Sequence, residues 1–129
     1  MIAPVPNPIS YYPLETASSY LRRLCAANFL DVGLTSRALA RCDAHTPAAQ
    51  RAEIITRNLE HLGALSPGTI TRDDDAATAF AVQPRCFECD RIDRPRWLCL
   101  QCAQGQTVEQ VRHNLSTICL RHHRWAGPG

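Results

Sequence analysis

The sequence predicts a mainly α-helical chain that ends in a small cross-linked module of ribbon or treble-clef type, and three observations predict it. Apolar residues recur at helical spacing through the first half, as at Ala17, Tyr20, Leu21, Leu24 and Cys25. Prolines and glycines punctuate those stretches. Five of the seven cysteines crowd into the last third, where Cys86-x-x-Cys89 and Cys99-x-x-Cys102 precede Cys119-x-x-His122. The expected organisation is an extended arm over residues 1–13, a helical region over 14–82 and a metal-binding module over 83–129.

The arm holds Pro4, Pro6, Pro8 and Pro13, each of which fixes φ and removes a donor, so it is extended and not helical. Tyr11 and Tyr12 are placed to anchor it on the core. A helix is expected from about Glu15 to Asn28, with Glu15 and Thr16 at its positive end and Gly33 past its finish. Cys25 falls on the apolar face as a core residue. A shorter amphipathic piece over Thr35–Arg41, with Leu34, Ala38 and Leu39, puts Cys42 in the same role.

Thr46 and Pro47 suit the N-cap and first position of a further helix, whose stripe is Ala52, Ile55, Leu59 and Leu62 and whose left-handed stop is Gly63. Ser66 and Pro67 repeat that start, giving a helix, a short turn and a second, shorter helix, which is the outline of a helix-turn-helix. The acids Asp73, Asp74 and Asp75 that follow would repel phosphates, which argues against a groove-reading helix there. Ala76 to Val82 reads as a connector, and Gln83-Pro84 as the boundary to the last module.

Two residues between cysteines place both sulfurs in one tight turn, able to offer two thiolates at about 2.3 Å to a tetrahedral Zn²⁺. The candidate ligands are Cys86, Cys89, Cys99, Cys102, His113, Cys119 and His122, with His123 in reserve. One pairing joins Cys99 and Cys102 to Cys119 and His122; its rival joins Cys86 and Cys89 to Cys119 and His122, leaving Cys99 and Cys102 to combine with His113 and His123. One or two structural Zn²⁺ ions are expected, because a closed cysteine-rich sphere leaves no position for a substrate water. Gln104-Gly105-Gln106 turns the chain out of the second pair, and Thr107–His113 is either a short helix or a hairpin. Ile118 to His123 reads as the turn-to-helix element of a treble clef.

Charge and composition narrow the function classes. Residues 1–84 carry seven Arg against eight acids, net −1, whereas 85–129 carry seven Arg against four acids, net +3. The cysteine-rich part is therefore the basic part, and Arg91, Arg94, Arg96, Arg121 and Arg124 are the candidate phosphate contacts. No run approaches a membrane span, and the start MIAPVPNPIS lacks the pattern of a secretion signal, so a cytoplasmic protein with reduced thiols is expected. No βαβ pattern supports a redox C-x-x-C, and no phosphate-binding loop supports an ATPase. An enzyme and a small-molecule substrate are not expected.

Pro13-Leu14-Glu15-Thr16-Ala17-Ser18-Ser19-Tyr20-Leu21-Arg22-Arg23 resembles the opening P-x-E-T-x-x-S-[YW]-x-x-R of TniQ-type transposition proteins. Leu59 to Ser66 is similar to that family's L-x-x-L-[TS]-G turn, and Cys86-Phe87-Glu88-Cys89 with Ile118-Cys119-Leu120-Arg121-His122 is similar to its cysteine and histidine pairs. The chain departs from the pattern in carrying the additional Cys99/Cys102 pair and in ending soon after the C-x-x-H, as a short form. The resemblance implies a helix-turn-helix plus zinc-finger accessory protein. Such a protein contacts DNA and protein partners in transposition or target selection, without strand-transfer activity. The alternative is a zinc-dependent protein-interaction or regulatory module that does not touch DNA.

Overall fold

A computed structural model describes residues 2–13, 15–70, 96–110, 118–119, 121–122 and 124–125. Among them are three helices, α1 (Ala17–Ala27), α2 (Val32–Leu39) and α3 (Ala48–Leu62). Four short strands follow, β1 (Arg96–Trp97), β2 (Glu109–Gln110), β3 (Ile118–Cys119) and β4 (Arg124–Trp125). The chain divides into two units: Met1–Tyr11 with Tyr20–Ile70, and Tyr12–Ser19 with Thr71–Gly129.

In the first unit the core is set by helical periodicity. Tyr20, Leu24 and Cys25 of α1, Leu39 of α2, and Leu59 and Leu62 of α3 are buried, as the spacing predicts for all six. Burying each large apolar side chain stabilises the fold by roughly 1.5–3 kcal/mol. Asn58 of α3 donates from Nδ2 to the Leu39 carbonyl at 2.9 Å, satisfying an acceptor that the end of α2 would otherwise leave open.

α1 stops where Phe29 enters the left-handed region at φ 55, and the Leu30 N–H closes back on the Cys25 carbonyl at 2.9 Å. Gly33 does not mark that stop; it lies inside α2, which begins earlier than Thr35 because Asp31 caps it, accepting from the Leu34 N–H at 2.8 Å. The earlier start turns Leu34 outward, to 65 % exposure. Cys42 is exposed as well, correcting its expected place in the core: α2 ends at Leu39 and residues 40–45 run over the surface.

α3 begins at Ala48, with Pro47 in the cap position at ψ 149 and no side-chain cap bond, so Thr46 does not cap it. Arg51 closes this end instead, donating to the carbonyls of Thr46 at 2.8 Å and Ala44 at 3.0 Å. At the other end Gly63 has φ −84, and the left-handed residue is Ala64 at φ 55, with the Leu65 N–H on the Glu60 carbonyl at 2.8 Å. Glycine at 63 answers a close approach: a Cβ there would collide with the Tyr20 hydroxyl.

The expected second helix of a helix-turn-helix is not formed over Ser66–Ile70. Gly68, at φ 86, turns the chain, the Thr69 N–H reaches the Ser66 carbonyl at 3.2 Å, and the buried Glu60 carboxylate takes the Ile70 N–H at 2.9 Å. That last bond folds the segment back on α3 and buries Ile70. The connector and the acidic run lie outside the described residues.

The proline-rich arm is extended, as its composition requires, and it is bonded along its length. Val5 N–H donates to the Leu62 carbonyl at 2.9 Å, and Asn7 and Asn28 exchange a reciprocal pair at 2.9 and 2.8 Å. Arg23 reaches the Ser10 carbonyl at 2.7 Å, and the Tyr11 ring meets Tyr20 edge-on at 5.6 Å between centroids.

Phe29 offers a direct test of the α1 stop. A Phe side chain in the left-handed region costs about 1–2 kcal/mol, and at 97 % exposure it gains no burial in return. Phe29→Gly is therefore expected to raise the unfolding free energy by about 0.5–1 kcal/mol once the greater chain entropy of glycine is subtracted, read as a higher urea midpoint with unchanged slope.

Candidate metal centre

In the second unit β1 and β2 pair antiparallel, Arg96 opposite Gln110 and Trp97 opposite Glu109. Thr107–His113 thus resolves, over its described part, into the return strand of a hairpin and not a helix. The Leu98 N–H extends the ladder to the Val108 carbonyl at 2.8 Å, which brings the chain to Cys99 with its backbone fixed. A tight turn follows. Ala103 N–H donates to the Cys99 carbonyl at 2.9 Å and Gly105 N–H to the Leu100 carbonyl at 2.7 Å, while Gln104 and Gly105 both take positive φ, 54 and 81. Ala103 and Val108 are fully buried beneath it, and Cys99 is 3 % exposed.

The second hairpin pairs β3 with β4, Ile118 opposite Trp125 and Cys119 opposite Arg124. Arg121 and His122 sit in its turn. The Cys119-x-x-His122 element is therefore carried at a hairpin tip, and the expected start of a treble-clef helix is corrected. A short apolar pair on each side, Ile118 and Trp125, fits a strand as readily as a helical turn, and the cross-strand register decides it.

The two tips bring three ligand atoms together. His122 Nδ1 lies 3.2 Å from Cys102 Sγ and 3.7 Å from Cys99 Sγ. All three ligand atoms fall within 4.8 Å of one another, so Cys99, Cys102 and His122 could hold a metal ion. Around one tetrahedral ion with bonds of about 2.0–2.3 Å, neighbouring ligand atoms stand roughly 3.5–3.8 Å apart. The donor set, two soft sulfurs and an imidazole, is the kind that selects zinc over hard cations. Its partly buried position also suits a structural ion, since Cys99 is buried and Cys102 and His122 are half-buried.

Of the two pairings left open by spacing, His122 stands with Cys99 and Cys102. Cys119 is placed by its backbone in β3, three residues from His122 on the same hairpin. Arg96 and Arg124 are likewise placed by backbone, in β1 and β4, and Arg121 is exposed beside His122. Cys86, Cys89, Arg91, Arg94, His113 and His123 lie outside the described residues. Among the described cysteines, Cys25, Cys42, Cys99 and Cys102 form no disulfide.

Sequence reasoning missed what braces this site from the other side. Glu109 of β2 gives its carbonyl to the Thr16 N–H at 2.9 Å and its N–H to Ser19 Oγ at 3.0 Å. Ser19 in turn donates to Glu15 Oε2 at 2.8 Å, and Glu15 Oε1 accepts from the Tyr12 N–H at 3.3 Å. Glu15 and Ser19 are buried, and Thr16 Oγ1 accepts from the Ser19 N–H at 3.2 Å in the manner of an N-cap. The signal was present as E-T-x-x-S at the helix start, but its partner strand is 90 residues away from Ser19. Among the described residues no helix is long and apolar enough to cross a membrane. No family model, curated protein or solved structure matches the chain, and the Cys99, Cys102 and His122 cluster is the feature on which its function is read.

Proposed function

We propose that this chain is a zinc-binding accessory protein of the TniQ kind, one that contacts DNA and protein partners in transposition or target selection and carries no strand-transfer activity of its own. The observation that carries the reading is the convergence of Cys99, Cys102 and His122 from two hairpin tips, with Cys119 on the same hairpin as His122. Zn²⁺ held there fixes two turns that have little apolar surface to fix them otherwise. The DNA part of the reading is supported by the resemblance of the Pro13–Arg23 and Cys119–His122 motifs to that family, and by the basic balance of residues 85–129. Arg121, exposed at the tip next to His122, is the described residue best placed to meet a phosphate.

A zinc-dependent module that binds only protein is the second reading, favoured by the apolar surface of the first unit. Phe29 is 97 % exposed and Leu34 65 %, and the exposed Leu30 and Val32 lie between them in the chain. Duplex binding measured across a salt series separates the two. Under the DNA reading, affinity falls with salt at a log–log slope near −0.9 per phosphate contact, and Gln at Arg91, Arg94, Arg96, Arg121 and Arg124 weakens binding and flattens that slope. Affinity that ignores both salt and these substitutions removes the DNA reading and leaves the second.

A further inference from the structure

We infer that Glu15, Thr16 and Ser19 are positioning residues for the metal centre, so that metal binding and the capping of α1 are two readouts of one equilibrium. The inference rests on the zinc reading above. Its ground is that β2 has both edges occupied. On one edge it pairs with β1, which runs through Leu98 directly into Cys99. On the other, both backbone groups of Glu109 are taken by the start of α1, the carbonyl by Thr16 and the N–H by the Ser19 hydroxyl.

That hydroxyl is a single oxygen with two obligations, accepting from Glu109 and donating to the buried Glu15 carboxylate. A serine is needed there because an alanine would leave a buried carboxylate short of a donor and a strand N–H without an acceptor. The Glu15 carboxylate also holds the Tyr12 N–H, so this one bond set orders Tyr12 to Ser19. When Cys99 and Cys102 are fixed by an ion, the turn they flank closes and β2 keeps its register, presenting Glu109 to Thr16 and Ser19. Without the ion, the turn slackens, the register of β2 is held among the described residues by a two-residue pairing and the Leu98–Val108 bond, and the first turn of α1 loses its acceptor and donor. Linkage makes the relation reciprocal: the factor by which the bound ion favours the cap is the factor by which the formed cap raises the affinity for the ion.

The test uses the full chain and Zn²⁺ alone, titrated against a chromophoric chelator, together with amide exchange in the presence and absence of the ion. Ser19→Ala is expected to weaken Zn²⁺ binding about 5–150-fold, the usual size of coupling between two linked sites, while Ser18→Ala at the exposed neighbouring position leaves it unchanged. In the unsubstituted protein, removing Zn²⁺ is expected to speed exchange at Thr16, Ser19 and Glu109 together with Leu98, and to leave Leu59 and Gly63 at the end of α3 protected. If no Zn²⁺ binds, the zinc reading itself fails. If Zn²⁺ binds with equal affinity to Ser19→Ala, or if Thr16 and Ser19 exchange alike with and without it, the coupling is wrong and the metal centre stands alone. Should Ser19→Ala fail to fold, the exchange measurement on the unsubstituted chain decides.

Discussion

Cys99→Ser is expected to abolish metal binding and to unfold the second unit. An ion bound to the folded state alone stabilises it by about 4 kcal/mol when its free concentration is a thousand times its Kd, and Cys99 is the buried member of the cluster. Replacing its sulfur leaves Cys102 and His122, on opposite hairpin tips, as two of the three groups that would share an ion. Native mass spectrometry should find bound zinc in the unsubstituted protein and none in Cys99→Ser, while a strong chelator should reproduce the loss of structure seen with the substitution. Cys42→Ser, on an exposed thiol, should match the parent in both respects. A purified chain that is metal-free, fully folded and indifferent to chelators would contradict the zinc centre.

Tyr20→Ala should be the most damaging substitution in the first unit, costing about 3–5 kcal/mol as large aromatic truncations in a core do. Tyr20 is fully buried and makes three kinds of contact at once. Its ring meets Tyr11 edge-on, Arg23 lies over its face at 5.9 Å, and its hydroxyl donates to the Ile9 carbonyl at 3.3 Å. The same hydroxyl occupies the space that a Cβ at position 63 would need. Gly63→Ala alone is therefore expected to cost about 1–3 kcal/mol through overpacking. In the Tyr20→Ala background that penalty should vanish, because the obstruction is gone. A double-mutant cycle in urea reads the coupling directly, and simple additivity of the two changes would refute the close approach as the reason for glycine.

The helix faces were legible because burial on a helix repeats every three or four residues: Tyr20, Leu24, Cys25, Leu59 and Leu62 are read from spacing and found buried. The helix ends were not. Phe29 and Ala64 take the left-handed positions expected of glycines, since chain direction after each helix is set by what lies beyond it and not by local preference. Glu60 escaped notice for a similar reason: nothing near it in sequence shows that its carboxylate will close on Ile70, ten residues on. For the candidate metal centre, residue type and the C-x-x-C and C-x-x-H intervals singled out Cys99, Cys102 and His122, which the structure brings together as a group that could hold an ion, because two intervening residues are a geometric requirement of the turn. Which pair faces which depends on where two hairpins meet, and that is a property of the folded unit. The brace from Ser19 to Glu109 was invisible for the same cause: a serine at a helix start has an ordinary local use as a cap, and its second partner is distant.

The bond from Val5 to the carbonyl of Leu62 has a kinetic consequence. A ribosome makes the amino end first, yet that segment has no acceptor at Leu62 until 57 further residues have been added. The first unit therefore cannot complete itself as it is synthesised from front to back. The bond can close only once the end of α3 is present, a contact across most of the first unit whose loop-closure cost is met before it is formed.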